Sequence, residues 1–144
     1  MFRFLVIVAA MLVSAQATLA HAHGSESSEA PPPKQDPLAV PVHVSVVKDR
    51  PMLVDLKGMT LYYFERDDSG NKSTCDGKCA EIRPPLPAPA NAVATGDFTV
   101  ITRSDGSKMW AYRYRPLYTS QLDAAPGDIK GDSPTQAWRV ARPY

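Results

Sequence analysis

The chain has 144 residues and a formal net charge of +1, from 16 basic and 15 acidic side chains. This length is enough for one domain. The balanced charge argues against nucleic acid, anionic lipid or a strongly charged molecule as the main ligand.

The amino-terminal segment predicts a signal peptide. Arg3 supplies its positive end, and the apolar run Phe4–Val13 that follows is too short to span a bilayer. Small residues then allow cleavage after Ala17, Ala20 or Ala22. We predict a signal peptide over residues 1–20, cleaved between 17 and 22, and a soluble periplasmic or secreted product without a membrane span. A retained membrane anchor is the less favoured alternative, because no stop-transfer pattern follows.

Residues 21–41 predict a disordered linker, because their polar side chains and three consecutive prolines offer little apolar area to bury. The linker begins with His21 and His23. If cleavage follows Ala20, the free amine, two backbone amides and the side chain of His23 form a square-planar ligand set for Cu(II). Cleavage after Ala22 leaves an amine and imidazole chelate instead. Ordinary linker histidines are the favoured interpretation, and Cu(II) is the one cofactor that the sequence suggests.

From residue 42 onward, apolar and β-branched side chains recur with the period of β-strands. Strands are expected near residues 43–47, 52–55 and 60–65, and again near residues 98–103, 108–113, 116–120 and 136–140. The strand near 60–65 is apolar on both faces, with Leu61 and Tyr63 on one and Tyr62 and Phe64 on the other. We therefore expect it to be central and covered on both sides.

The intervening segments predict turns and loops. Asp105-Gly106 favours a type I′ hairpin turn. Residues 66–96 are rich in proline and predict an irregular loop. We predict one all-β domain over residues 42–144, made of two pseudo-symmetric three-stranded antiparallel meander repeats with long Pro-rich loops. The first repeat covers about residues 42–90 and the second about residues 97–141.

Cys75 and Cys79 are the two cysteines of the chain. In an oxidising compartment they favour a disulfide, and Gly77 gives the small loop the freedom to close. Closing five residues removes about 2 kcal/mol of unfolded-state entropy, so the bridge is expected to shape a local loop. A redox pair or a metal-ligand pair is less favoured, because the spacing is unusual for the first and the second lacks nearby ligands.

One pattern occurs twice, 56 residues apart: a Leu-Tyr pair followed by Asp five residues after the Tyr. Such a copy indicates internal duplication. The two aspartates are candidate ligands for a hard cation, but an Asp that accepts backbone N–H bonds in a turn is the simpler interpretation. The candidate binding residues of the pattern are Tyr62, Phe64, Asp67, Tyr118 and Asp123.

The aromatic side chains have two interpretations. At strand spacing they are typical of the core of a small β domain, which is our expectation for Tyr62, Phe64, Trp110 and Trp138. Alternatively, aromatic residues line a stacking groove for a sugar or peptide. The alternation Tyr112, Arg113, Tyr114, Arg115 is a candidate exposed aromatic and basic strip, with Tyr114 as a candidate surface contact.

The ordered series of motifs resembles a family of secreted bacterial repeats with a Tyr-x-aromatic-x-x-Asp motif, many of them predicted lipoproteins. The resemblance spans about residues 42–143 and includes Gly58–Asp67, both cysteines, Pro84-Pro85-Leu86, Trp110-Ala111-Tyr112, Pro116-Leu117-Tyr118, Asp123 and Trp138. It implies an exported repeat protein and no particular activity. Two positions depart from the motif: Arg83 replaces a Trp and Ser120 replaces an aromatic.

No catalytic motif accompanies these features. His43 is the one histidine after residue 41, and we find no Ser-His-acid order, His-Glu metal motif or phosphate loop. We therefore predict a non-enzymatic binding or interaction module, with a protein or glycan of the cell envelope as partner. A periplasmic copper-binding protein is the alternative, and a glycan-processing enzyme is the weakest hypothesis.

Overall fold

The computed structural model describes residues 39–67 and 71–144. The predicted signal peptide, His21 and His23 lie outside these residues, so the copper hypothesis stays a prediction. Within the described ranges, no helix is long and apolar enough to cross a bilayer.

Antiparallel strands dominate the described part of the chain, which confirms the all-β prediction. The strands are β1 (Val42–Val47), β2 (Arg50–Asp55), β3 (Tyr62–Phe64), β4 (Phe98–Thr102), β5 (Lys108–Tyr112), β6 (Arg115–Pro116) and β7 (Trp138–Val140). A short helix, α1, covers Lys78–Ile82, and a single 3-10 turn covers Pro134–Gln136. The helix was not predicted, because five residues are too few to show helical periodicity.

The strands form a β1–β2 hairpin, a β4–β5–β6 meander and a β3–β7 pair. The turns that join them differ from the prediction at Asp105-Gly106. There only Gly106 has a positive φ, at 83°, and its N–H donates to the carbonyl of Arg103. Because this connection is longer than two residues, a tight turn followed by a left-handed glycine replaces the type I′ turn.

The two-residue turns occur elsewhere, at positions without glycine. Lys48 and Asp49 join β1 to β2 with φ of 50° and 59°. Arg113 and Tyr114 join β5 to β6 with φ of 47° and 65°. Positive φ at both central residues matches the twist of adjacent strands, which explains why the chain accepts this backbone without glycine.

Each repeat is completed by the tail of the other. The backbone N–H of Leu53 donates to the carbonyl of Ala141, that of Ala141 to Leu61, and that of Leu61 to Leu53, all within 2.8–2.9 Å. The same cycle recurs at 2.8–3.0 Å in the second half, where the equivalent residues are Trp110, Leu86 and Leu117. The end of repeat 1 therefore pairs with repeat 2, and the end of repeat 2 pairs with repeat 1.

The core is divided between the two faces of β3. Tyr62 and Phe64 belong to one apolar cluster, whereas Leu61 and Tyr63 belong to a second cluster on the opposite face. Phe64 stacks on Trp138 with ring centroids 4.5 Å apart. The prediction of a central strand covered on both sides is thus confirmed. Fully burying an aromatic side chain stabilises a fold by about 2 to 3 kcal/mol.

The predicted disulfide between Cys75 and Cys79 is present at the start of α1. Its loop is tied to the second repeat by the buried side chain of Arg103. The guanidinium Nη2 donates to the carbonyl of Cys75 at 2.8 Å and to Asp76 at 3.0 Å. The loop around Cys75 and Asp76 is therefore fixed both by the disulfide and by this cross-repeat contact.

Candidate functional site

The two motif tyrosines meet at the centre of the domain. The backbone N–H of Tyr62 donates to the carbonyl of Tyr118 at 2.8 Å, and the reverse bond measures 2.9 Å. Both side chains are completely buried. Because equivalent residues exchange equivalent bonds, this bridge lies on the pseudo-twofold axis that relates the repeats.

Each motif tyrosine binds the motif aspartate of the other repeat. The hydroxyl of Tyr62 donates to Asp123 Oδ2 at 2.6 Å, and the hydroxyl of Tyr118 donates to Asp67 Oδ2, also at 2.6 Å. Burial raises the pKa of both phenols well above the usual value, and the hydrogen bond to a carboxylate adds to that rise. The motif therefore acts as a reciprocal clasp between repeats.

The second oxygen of each carboxylate closes a loop. Asp123 Oδ1 accepts the backbone N–H of Lys130 at 2.8 Å. Asp67 Oδ1 accepts the backbone N–H and the hydroxyl of Thr74 at 2.8 and 2.7 Å. These are the bonds that a turn-forming aspartate makes. Among the described residues, no group of three His, Cys, Asp or Glu side chains is placed to hold a metal ion.

The two clasps have different surroundings. Beside Tyr62, the buried guanidinium of Arg83 stacks 4.7 Å from the Trp138 ring centroid and donates to the carbonyl of Gly131 at 2.9 Å. Burial lowers the pKa of Arg83 from its ordinary value. Beside Tyr118, the small hydroxyl of Ser73 lies 2.7 Å from the phenol oxygen instead. Arg83, which replaces the expected Trp of the family motif, thus occupies space in the first clasp only.

A second cluster of tyrosines lines a groove at the surface, with Tyr112 buried at its base and Tyr144 exposed. The groove encloses about 140 Å³ between β3, the β5–β6 turn and the carboxyl-terminal segment. We call it the arginine–tyrosine groove. Its lining residues are Tyr63, Tyr112, Arg113, Arg115, Leu117, Ala141, Arg142 and Tyr144.

Guanidinium groups stack on the aromatic rings of this groove. Arg115 lies 4.2 Å from the Tyr63 ring centroid, and Arg113 lies 5.8 Å from Tyr112 and 5.2 Å from Tyr144. The rings of Tyr112 and Tyr144 are nearly parallel, with centroids 6.5 Å apart. A cation over a ring face is attracted by the ring, and a guanidinium in this position can still donate its N–H groups to an acceptor.

The arginines differ in how far their charge is already used. Arg113 pairs with Asp97 at 3.3 Å, and Arg142 donates to the carbonyl of Pro51 at 2.9 Å. Among the described residues, no carboxylate lies within 4.0 Å of Arg115. Arg115 is therefore the cation of the groove that is best placed to bind an external anion.

The groove exists in one half of the pseudo-symmetric domain. The reciprocal backbone bonds set the equivalences between the strands of the two repeats. Arg113 has no single counterpart, because the two-residue turn 113–114 corresponds to the three residues 56–58. Tyr63, Tyr112, Arg115, Arg142 and Tyr144 correspond to Thr119, Asp55, Met59, Pro87 and Pro89. No counterpart in this set is aromatic or basic, so the fold itself does not require these side chains.

The sequence identified part of this groove. The strip from Tyr112 to Arg115 contributes three of its four residues, whereas Tyr114 is exposed and outside the groove lining. Tyr63, Arg142 and Tyr144 were missed, because they lie far apart in the sequence. An arginine and a tyrosine within the last three residues were the available signal.

The repeats also match a family model. The model, described as a secreted repeat of unknown function, matches residues 44–86 and 99–142. Each match covers one structural repeat and includes its motif tyrosine. No curated protein and no solved structure matches the chain. The chain belongs to this family of secreted repeats of unknown function.

Proposed function

We propose that the protein is a non-enzymatic binding module, exported to the periplasm or beyond, that holds a component of the cell envelope in the arginine–tyrosine groove. One observation carries the proposal. Three tyrosines and three arginines converge on a groove in one half of a duplicated domain, and the equivalent positions of the other half lack both residue types.

The groove side chains have no equivalents in the other repeat, so the fold does not need them. This favours a role in binding another molecule. The motif residues Tyr62 and Tyr118 support this contrast, because their hydroxyls are consumed by the clasps. Groove residues have unused capacity. Tyr144 is 82% exposed, and Arg115 is exposed without a carboxylate within 4.0 Å among the described residues. Exposed tyrosine and arginine are the residue types that most often dominate binding energy at protein surfaces.

The backbone supports the same site. Arg113 and Tyr114 both adopt left-handed φ values without glycine, a conformation that costs of order 1 kcal/mol or more per residue. The turn directs the side chains of Arg113 and Arg115 to the groove while Tyr114 stays outside it.

Retention of the mature protein on isolated cell-envelope fractions tests the proposal. We expect the Arg115→Gln and Tyr144→Ala variants to lose at least tenfold in retention, because each removes one contact of the groove. Lys57→Gln is the matched control, since it removes an exposed charge from the corresponding turn of the first repeat. Equal retention of all variants and wild type would contradict the proposal.

A further inference from the structure

We infer that the arginine–tyrosine groove recognises one carboxylated sugar within an otherwise neutral glycan. This inference rests on the proposed function and specifies its ligand. It follows from four features: the donors of the groove, the charge balance, the strand edges and the size of the groove.

The donors indicate a carboxylate. Arg115 lies over the Tyr63 ring, with its Cζ 4.2 Å from the ring centroid, and this contact positions the guanidinium at the groove. Every guanidinium carries parallel N–H groups that match the two oxygens of a carboxylate. Arg113 and Arg142 line the same groove and add positive charge around that position.

The charge balance indicates one carboxylate and not a polyanion. The whole chain has a net charge of only +1, so it lacks the long-range field that a highly charged polymer would select. Within the groove, Asp97 partly neutralises Arg113, and Arg142 is fastened to the carbonyl of Pro51. Among the described residues, neither Arg115 nor Arg142 has a carboxylate within 4.0 Å, and of these two only Arg115 makes no hydrogen bond through its guanidinium. Arg115 is therefore the main donor left for a single acid group.

The strand edges favour a sugar over a peptide. An extended peptide is commonly bound by adding a strand to a free sheet edge. Here β3 is paired with β7 on one side and bridged to Tyr118 on the other. Strand β6 ends in Pro116, which has no backbone N–H to offer. Recognition must therefore use side chains, and aromatic faces with guanidinium edges suit a sugar ring that carries an acid group.

The size of the groove agrees with a single ring. Its volume of about 140 Å³ is well below the roughly 300 to 1,000 Å³ of pockets that enclose a drug-sized molecule. One pyranose ring can enter while the neighbouring sugars of the chain remain outside, where Tyr144 is exposed.

Calorimetric titration with defined probes tests the inference. The probes are a trisaccharide with one central glucuronate, the same trisaccharide with the carboxyl group reduced to the alcohol, and a short neutral peptide with one glutamate. We expect the glucuronate probe to bind at least tenfold more tightly than the reduced probe and the peptide, since a charged hydrogen bond is lost or misplaced in each. Arg115→Gln should abolish this preference, and Arg115→Lys should restore only part of it.

The outcomes separate the ligand from the site. Equal affinity for the reduced probe would overturn the role of the carboxylate, and equal or tighter binding of the peptide would overturn the choice of a sugar. If no probe binds while envelope retention still depends on Arg115, the inference fails and the proposed function stands. If retention is also insensitive to Arg115, both fail.

Discussion

Tyr62 and Tyr63 are neighbours on β3, yet they belong to regions with opposite character. Tyr62 is fully buried, and its hydroxyl clasps Asp123 of the other repeat. Tyr63 points to the other face, where its ring supports Arg115 at the surface groove. The first contact has a symmetry mate at Tyr118, whereas the second has none. The difference indicates that duplicated residues build the domain and that unduplicated residues give it a binding face.

The largest expected effect comes from Gly131→Ala, which overpacks the clasp between Tyr62 and Asp123. A Cβ at Gly131 would lie 2.5 Å from Arg83 Nη1 and 2.6 Å from Tyr62 Cζ. We expect Gly131→Ala to destabilise the domain by about 3 kcal/mol, because the neighbours are buried and cannot move aside freely. Urea unfolding followed by tyrosine and tryptophan fluorescence measures the change.

Gly96→Ala is the control for that substitution. No atom lies within 4 Å of the position that a Cβ would take at Gly96, although the φ of 58° makes alanine unfavourable there. We expect a loss of about 1 kcal/mol from backbone strain alone. Equal losses at the two glycines would mean that the space between Arg83 and Tyr62 is not tightly filled.

A double-mutant cycle examines whether the clasp truly crosses between repeats. Tyr62→Phe and Asp123→Ala each remove one side of a buried hydrogen bond to a charged group, so their effects should be coupled by about 2 kcal/mol. Tyr62 and Asp67, which share one motif copy, should show coupling below about 0.5 kcal/mol. Stronger coupling within a copy than between copies would refute the exchanged arrangement.

The sequence predicts features that depend on local patterns and misses those that depend on pairing between distant residues. The faces of β3 were predictable because side chains alternate along any strand. The clasp was not, since its partners are separated by 61 and 51 residues and the motif places each Tyr close in sequence to the wrong Asp. Only the folded chain shows that the tails are exchanged.

The arginine–tyrosine groove was predictable only in part for the same reason, since some of its residues are far apart in the sequence. The Tyr and Arg alternation from 112 to 115 identified one wall, because consecutive residues of like chemistry are visible in a sequence. Tyr63 and Tyr144 come from elements 81 residues apart, by subtraction of their numbers, and nothing local links them. The short helix at the disulfide and the turn at Gly106 were missed because the surrounding contacts decide such short elements.

The disulfide gives a third and smaller test of how the halves are joined. Replacing Cys75 and Cys79 by serine should destabilise the domain by about 2 kcal/mol, the entropy of closing a five-residue loop. Arg103 should retain part of the loop structure, because its bond to the carbonyl of Cys75 does not involve sulfur. Adding reductant to wild type should reproduce the loss measured for the double serine variant. A total loss of folding would mean that the disulfide organises more than its own loop.

High pH should weaken the two clasps, which pair Tyr62 with Asp123 and Tyr118 with Asp67. Because the folded pKa of Tyr62 and Tyr118 is raised above the unfolded value of about 10, the neutral phenol is favoured in the native state. Their contribution is complete below pH 10 and falls above it, by roughly 1 kcal/mol per pH unit for each tyrosine. Urea unfolding between pH 8 and pH 11 should show a shallower decline for the variant with phenylalanine at both positions. Parallel declines would contradict the raised pKa values.

The smallest expected effect is the most direct comparison of the two neighbours on β3. Tyr62→Phe should cost about 1 to 2 kcal/mol, because it leaves the buried carboxylate of Asp123 without its phenol donor. Tyr63→Phe should change stability by less than about 0.5 kcal/mol, since within the described residues its hydroxyl makes no hydrogen bond. The Tyr63→Phe variant should also keep envelope retention, because the ring that supports Arg115 remains.

Tyr63→Thr, which installs the residue found at the equivalent position 119, should lower retention about tenfold. If Tyr63→Thr binds like wild type, the ring that distinguishes one half of the domain from the other does not contribute to binding, and the asymmetry has another origin.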